Sequence, residues 1–145
     1  MYQSIDLEQL RQDNPRVVHK TPFEHQRDAF EKLNELFTFN DQEHKAGILV
    51  LPTGAGKTFT SVNWICRNVL PKNVKVLWLA HTGHLLEQAY DTFKSNLLQV
   101  PQRQSINIRL VSSDPEHSNA SQIDTSRMLM LRRWGTCSRL LLNVS

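Results

Sequence analysis

The residues Leu51-Pro52-Thr53-Gly54-Ala55-Gly56-Lys57-Thr58 follow directly on the apolar run Ala46-Gly47-Ile48-Leu49-Val50. Two glycines separated by one residue let a chain turn tightly with successive backbone N–H groups facing inward. A helix starting just after them adds its own unpaired N–H groups, and the whole forms an anion cradle. In such a loop, Thr53, Gly54, Ala55 and Gly56 supply backbone donors. Lys57 places an ammonium on the β- and γ-phosphates of a nucleotide, and the Thr58 hydroxyl is a ligand of Mg²⁺ held by those phosphates. The general pattern asks for a glycine where Leu51 stands, so what remains is the core Gly-x-Gly-Lys-Thr. The plain alternative is a glycine-rich turn with an exposed lysine.

The elements that must position this loop can be read on both sides of it. Residues 46–51 are expected to form a buried strand running into the loop, and residues 57–70 a helix stopped by Pro71, with Val62, Ile65 and Val69 as its buried stripe. Upstream, Thr21 is a plausible N-cap, Pro22 fits the first helical position and Glu24 completes a capping box. Ala29, Phe30, Leu33, Leu36 and Phe37 then recur at helical spacing, and the polar residues 40–45 close that helix. Residues 4–13 suit a short helix capped by Ser4 and ended before Asn14-Pro15, with an extended connector over 16–20. Downstream, 74–80 reads as a strand, 84–98 as a helix with Leu85, Leu86, Ala89, Phe93 and Leu97 inward, and 106–111 as a third strand. Strands alternating with helices imply parallel pairing through right-handed crossovers, an α/β fold.

Composition sets the outer limits. With 145 residues, 39% hydrophobic and 21% charged, the chain can build one moderate core and is not of disordered type. No run is long and apolar enough to span a membrane, and the polar, acidic start argues against a signal peptide. Cys66 and Cys137 are too few for a disulfide framework, which points to a reducing, cytoplasmic setting. The net charge of +3 is a poor guide to partners: all 14 acidic residues lie at or before Asp124, and Arg127, Arg132, Arg133 and Arg139 follow it. His81 and His84 lie three apart, but two ligands without a third make a weak case for a metal.

The loop Pro-Thr-Gly-x-Gly-Lys-Thr without a leading glycine resembles motif I of superfamily 2 helicases and translocases. Two further runs are similar to that family in the same order. Thr21-Pro22-Phe23-Glu24-His25-Gln26 resembles the upstream motif in which a glutamine reads the adenine edge, and the resemblance gives Gln26 that role with Phe23 covering the base. Val76-Leu77-Trp78-Leu79-Ala80-His81-Thr82-Gly83-His84-Leu85-Leu86-Glu87-Gln88-Ala89 resembles motif Ia, whose turn touches the nucleic-acid backbone, a role that falls here to His81 and Thr82. The family has arginines where this chain carries neither one before Gln26 nor one at Thr82.

The resemblance is to the DEAD/DEAH-like helicases of the restriction-enzyme Res-subunit branch, over the N-terminal part of the first RecA-like domain. It implies a partial RecA-like P-loop NTPase fold with a parallel sheet and flanking helices, ATP and Mg²⁺ as cofactors, and nucleic acid as partner, DNA ahead of RNA. Restriction-modification subunits are further expected partners, and no membrane is. The organisation expected is an N-terminal segment 1–20, an incomplete ATP-binding domain 21–125 and an atypical basic tail 126–145 outside the sheet, of the kind a lost reading frame produces.

Hydrolysis in that family also needs an Asp-Glu pair on a later strand. No Asp-Glu dipeptide occurs in this chain, and Asp114-Pro115-Glu116-His117 reads as a turn. The second RecA-like domain is missing too. The expectation is thus an N-terminal piece of an ATP-dependent helicase or restriction-type translocase, inactive alone. The alternatives are a non-enzymatic nucleotide- or partner-binding module and an unrelated P-loop kinase or small NTPase.

Overall fold

A computed structural model describes residues 2–13, 20–37, 46–72, 74–101, 105–111, 128–130 and 138–144. The chain opens with strand β1 (Tyr2–Asp6) and turns at once into helix α1 (Leu7–Asp13). The single helix expected over 4–13 is therefore a strand and a helix. The reason is local: Asp6, not Ser4, caps the helix, its Oδ1 accepting the N–H groups of Glu8 (2.8 Å) and Gln9 (3.1 Å). Ahead of the cap the residues are free to pair, and Ile5 sits opposite Ile106.

Helix α2 (Glu24–Leu36) begins two residues later than its sequence signals suggested. Its N-cap is Phe23, and the Phe23 N–H is accepted by Gln26 Oε1 at 3.0 Å. Gln26 therefore performs the reciprocal half of a capping box that the sequence assigned to Thr21 and Glu24. Helix α3 (Lys57–Trp64) continues as a π-helical turn (Ile65–Val69) and a 3-10 turn (Leu70–Lys72). Its expected stripe of Val62, Ile65 and Val69 is buried. Trp64 reaches back to α2, donating its indole N–H to Asn34 Oδ1 at 2.7 Å.

Strand β2 (Lys75–Ala80) leads through His81 and Thr82 into helix α4 (Gly83–Asn96), followed by a 3-10 turn (Leu97–Gln99). Leu86, Ala89, Tyr90, Phe93 and Leu97 face the core, but Leu85 is exposed rather than inward. Phe93 is fully buried and meets Trp78 of β2 edge to face, with ring centroids 5.6 Å apart. Strand β3 (Ser105–Val111) buries Ile106, Ile108 and Leu110 in alternation. Strands β4 (Met128–Met130) and β5 (Ser138–Val144) complete the described elements.

The sheet order is β1-β3-β5-β2-β4. Three of its four pairings (β1 with β3, β3 with β5, β5 with β2) are antiparallel, and only β2 with β4 is parallel. This corrects the parallel sheet expected from sequence. The tail is corrected as well: β5 lies between β3 and β2 instead of outside the sheet. Its Leu140-Leu141-Leu142 run is the kind of segment a central strand requires.

The apolar run 46–51 is not a strand of this sheet. Among the described residues nothing pairs with it, and Ile48 and Val50 are 92% and 82% exposed. It nonetheless keeps a two-residue alternation. Gly47 abuts the Leu36 side chain, where a Cβ would overlap Leu36 Cδ2, and Leu49 and Leu51 are half-buried. The connectors over 14–19 and 40–45, and Asp114-Pro115-Glu116-His117, lie outside the described residues.

Candidate nucleotide site

The loop is built on two glycines in the left-handed region, Gly54 at φ 81° and Gly56 at φ 76°. Ala55 donates its N–H to Pro52 O at 3.1 Å, closing the turn. Gly56 is the N-cap of α3, and its carbonyl accepts both the N–H (2.8 Å) and the hydroxyl (2.9 Å) of the buried Thr60. The two glycines differ in surroundings. A Cβ on Gly54 would meet nothing within 4 Å, whereas a Cβ on Gly56 would sit 2.8 Å from Gln26 Nε2. Only glycine satisfies both the backbone and the space at position 56.

Lys57 opens α3, and its exposed side chain turns back over the loop, donating to Leu51 O (3.1 Å) and Pro52 O (3.2 Å). Thr58 follows on the same turn, half-buried. The first-turn N–H groups of α3 have no intrahelical acceptor and point out of its end, beside the ammonium. Two left-handed glycines, a free helix start and a lysine on a short tether are a donor set that fits a polyphosphate. A hydroxyl at Thr58 suits a hard cation carried on that phosphate.

The N-terminus of α2 closes the other side. Gln26 is buried, and its Nε2 donates to Ala55 O at 3.1 Å while its Oε1 holds the Phe23 N–H. The same amide thus joins helix cap and loop, and keeps one N–H and one lone pair to spare. The His25 Nε2 lies 3.3 Å from the same Ala55 oxygen, and its ring stacks on Phe23 with centroids 5.9 Å apart and planes 15° from parallel. Phe23 is 70% exposed. Between these parts lies a cavity of about 470 Å³, bounded by Lys20, Thr21, Phe23, His25, Gln26, the loop from Gly54 to Gly56, and Phe59. That volume lies within the usual range for small-molecule sites.

The structure therefore brings Phe23, Gln26, Gly54, Ala55 and Gly56 to one cavity; Thr53, Lys57 and Thr58 are not among the residues that bound it, and Lys57 and Thr58 follow Gly56 in the first turn of α3. His25 and Phe59 were not singled out from sequence. The signal for His25 was its place beside Gln26 in Phe-Glu-His-Gln, and for Phe59 its place in the first turn after the loop. His81 and Thr82 do not line this cavity. They form the exposed turn between β2 and α4, and the Thr82 hydroxyl accepts the Leu85 N–H at 3.3 Å as the cap of α4. Among the described residues no three His, Cys, Asp or Glu side chains gather as a metal site. No helix described is long and apolar enough to cross a membrane.

Behind the site, α3 and α4 share a cluster of side-chain amides. Asn63, fully buried, donates to Asn96 Oδ1 (3.1 Å) and Gln99 Oε1 (3.0 Å). Gln99 Nε2 donates to Asn96 Oδ1 (2.8 Å), and the exposed Arg67 donates its Nε–H to Gln99 Oε1 (2.7 Å). Asn63 Oδ1 is buried with no partner, a state that costs about 1–3 kcal/mol. Nearby, burial pushes the Cys66 thiol up to about 12, against a smaller opposing pull from Arg67.

Helices beside a mixed sheet, with a glycine-built loop at the head of α3, define the class as an α/β protein. A family model described as the type III restriction enzyme, res subunit, matches residues 19–131, and the chain belongs to that family. It is accordingly a member of the Res-subunit branch of the superfamily 2 helicases, whose domain has the RecA-like fold. No curated protein and no solved structure matches it.

Proposed function

We propose that the chain is the nucleotide-binding portion of an ATP-dependent helicase or restriction-type translocase. The observation that carries this is the cavity between α2 and the loop, where Gln26 is tied to Ala55 and the two left-handed glycines face the start of α3. Lys57 leaves the Leu51 and Pro52 carbonyls for the β- and γ-phosphates, and the loop N–H groups from Thr53 onward hold the phosphate oxygens. Thr58 would hold the Mg²⁺ through its hydroxyl, and the metal would supply charge neutralisation for the phosphates. The stacked Phe23 and His25 rings cover the adenine, and the spare donor and acceptor of Gln26 meet its edge. His81 and the backbone around Thr82 contact the phosphates of a nucleic acid, DNA ahead of RNA. Restriction-modification subunits are the proposed protein partners, in the cytoplasm.

The chain does not turn ATP over at an appreciable rate by itself. It has no Asp-Glu pair to hold the metal and direct water. Hydrolysis of this kind depends on such positioned carboxylates. A second possibility is a binding module without catalysis, favoured by the exposed Ile48 and Val50, which present an apolar face beside the loop.

Titration calorimetry with ATP·Mg²⁺ tests the proposal. The expected dissociation constant is on the order of 10⁻⁴ M or weaker, lost in Lys57→Ala. Equal heats for the two proteins would remove the phosphate-loop assignment, and nucleic-acid-stimulated hydrolysis abolished by Lys57→Ala would refute the inactivity.

A further inference from the structure

The amide cluster between α3 and α4 lies away from the cavity, yet each of the two helices starts at one of the proposed sites. Helix α3 begins at Lys57 of the loop, and its Thr60 hydroxyl holds the Gly56 carbonyl. Helix α4 begins at the turn carrying His81 and Thr82. Side-chain hydrogen bonds from Asn63 and Arg67 to Asn96 and Gln99 join the two helices and the turns that follow them.

The orientations of these amides fix one another. Asn96 Nδ2 donates within its own helix to Thr92 O at 2.7 Å, so its Oδ1 must face Asn63. Turning the Asn63 amide over would set its oxygen against two oxygens, Asn96 Oδ1 and Gln99 Oε1, that are already acceptors. Asn63 Oδ1 is thus stranded by the cluster's own logic and not by a free choice of orientation. An apolar pair would fill the same space without the stranded Asn63 oxygen, and the donor it releases, Gln99 Nε2, belongs to a half-buried residue at the rim. Buried polar groups that do not favour stability over an apolar pair are suited to fixing a register. A slide of α3 by one helical turn, about 5.4 Å, carries Asn63 out of reach of both acceptors.

We propose that Asn63, Asn96 and Gln99 are positioning residues that make α3 and α4 move as one body, so that nucleotide at the loop changes the affinity of the His81–Thr82 turn for nucleic acid. This rests on the proposed function above. The cluster touches neither ligand and acts through the two helices.

The test uses the full chain, a fluorescein-labelled single-stranded oligonucleotide read by anisotropy, and a non-hydrolysable ATP analogue with Mg²⁺. In the unmodified chain the analogue shifts oligonucleotide affinity about fivefold or more, the lower end of ordinary site-to-site coupling. In the double variant Asn63→Leu with Asn96→Leu the shift falls below about twofold, while the separate affinities stay within about threefold and the urea midpoint is equal or higher. Gln99→Ala, at the half-buried rim, removes one of the two Asn63 bonds and gives an intermediate shift.

A full shift in both variants overturns the proposal. So does a shift that falls only in step with lost stability and lost binding of both ligands, which marks a packing role alone. An unmodified chain that binds both ligands without coupling overturns it as well, leaving the nucleotide site standing. Absence of Lys57-dependent nucleotide binding in the unmodified chain removes the proposed function itself, and the coupling with it.

Discussion

Replacing each loop glycine by alanine separates two physical effects that the structure assigns to different positions. Gly54 and Gly56 both lie at positive φ, so either substitution strains the backbone by about 1–2 kcal/mol. Gly54→Ala stops there, because its new methyl enters open space. Gly56→Ala puts a methyl 2.8 Å from Gln26 Nε2, which is buried and held at both ends of its amide by Phe23 and Ala55. The glutamine cannot swing aside without losing the Ala55 bond and stranding a donor, a further loss of about 1–3 kcal/mol. The expected totals from urea denaturation are about 1–2 kcal/mol for Gly54→Ala and about 2–5 kcal/mol for Gly56→Ala. In a Gln26→Ala background the excess at position 56 should vanish, giving a coupling energy of about 1–3 kcal/mol between the two sites. Equal costs at the two glycines, or a cost at position 56 indifferent to Gln26→Ala, would refute the tie between α2 and the loop.

Phe93→Ala removes a fully buried ring and its edge-to-face contact with Trp78, and should destabilise by about 3–5 kcal/mol in the same assay. Cys66 should resist iodoacetamide in the folded chain and react once urea is added, since its thiol keeps its proton up to about 12. The unfolded thiol ionises from 9.0 and the folded one does not, so stability should fall as pH rises between 9.0 and about 12, by at most about 1.4 kcal/mol per pH unit. Cys66→Ala should lack that part of the alkaline slope, and identical slopes would contradict it. Deleting residues 138–144 removes the strand joining β3 to β2 and should abolish a single cooperative unfolding transition, measured by circular dichroism against urea.

The sequence by itself determined the features that a few contiguous residues dictate. Gly54 and Gly56 prescribe the turn, Lys57 begins the helix after it, and the stripe Val62, Ile65 and Val69 is buried where its period placed it. The run 106–111 was legible as a strand, and the structure buries its Ile106, Ile108 and Leu110. The family resemblance was legible for the same reason, since each of its motifs is one local run around a turn. Ends of elements were less legible. Asp6 outcompeted Ser4 as a cap, and Gln26 took the place of Glu24, because several nearby side chains can satisfy the same orphan N–H groups.

What only the tertiary structure decided is which strands pair and which distant groups meet. Residues 46–51 and 138–144 are both apolar runs long enough for a central strand. Composition does not say which one lies between β3 and β2, or in which direction. The Gln26–Ala55 bond and the hydrogen bonds of Asn63 to Asn96 and Gln99 join residues from separate elements. Their partners are fixed by how the helices pack, and no local pattern in the chain encodes that packing.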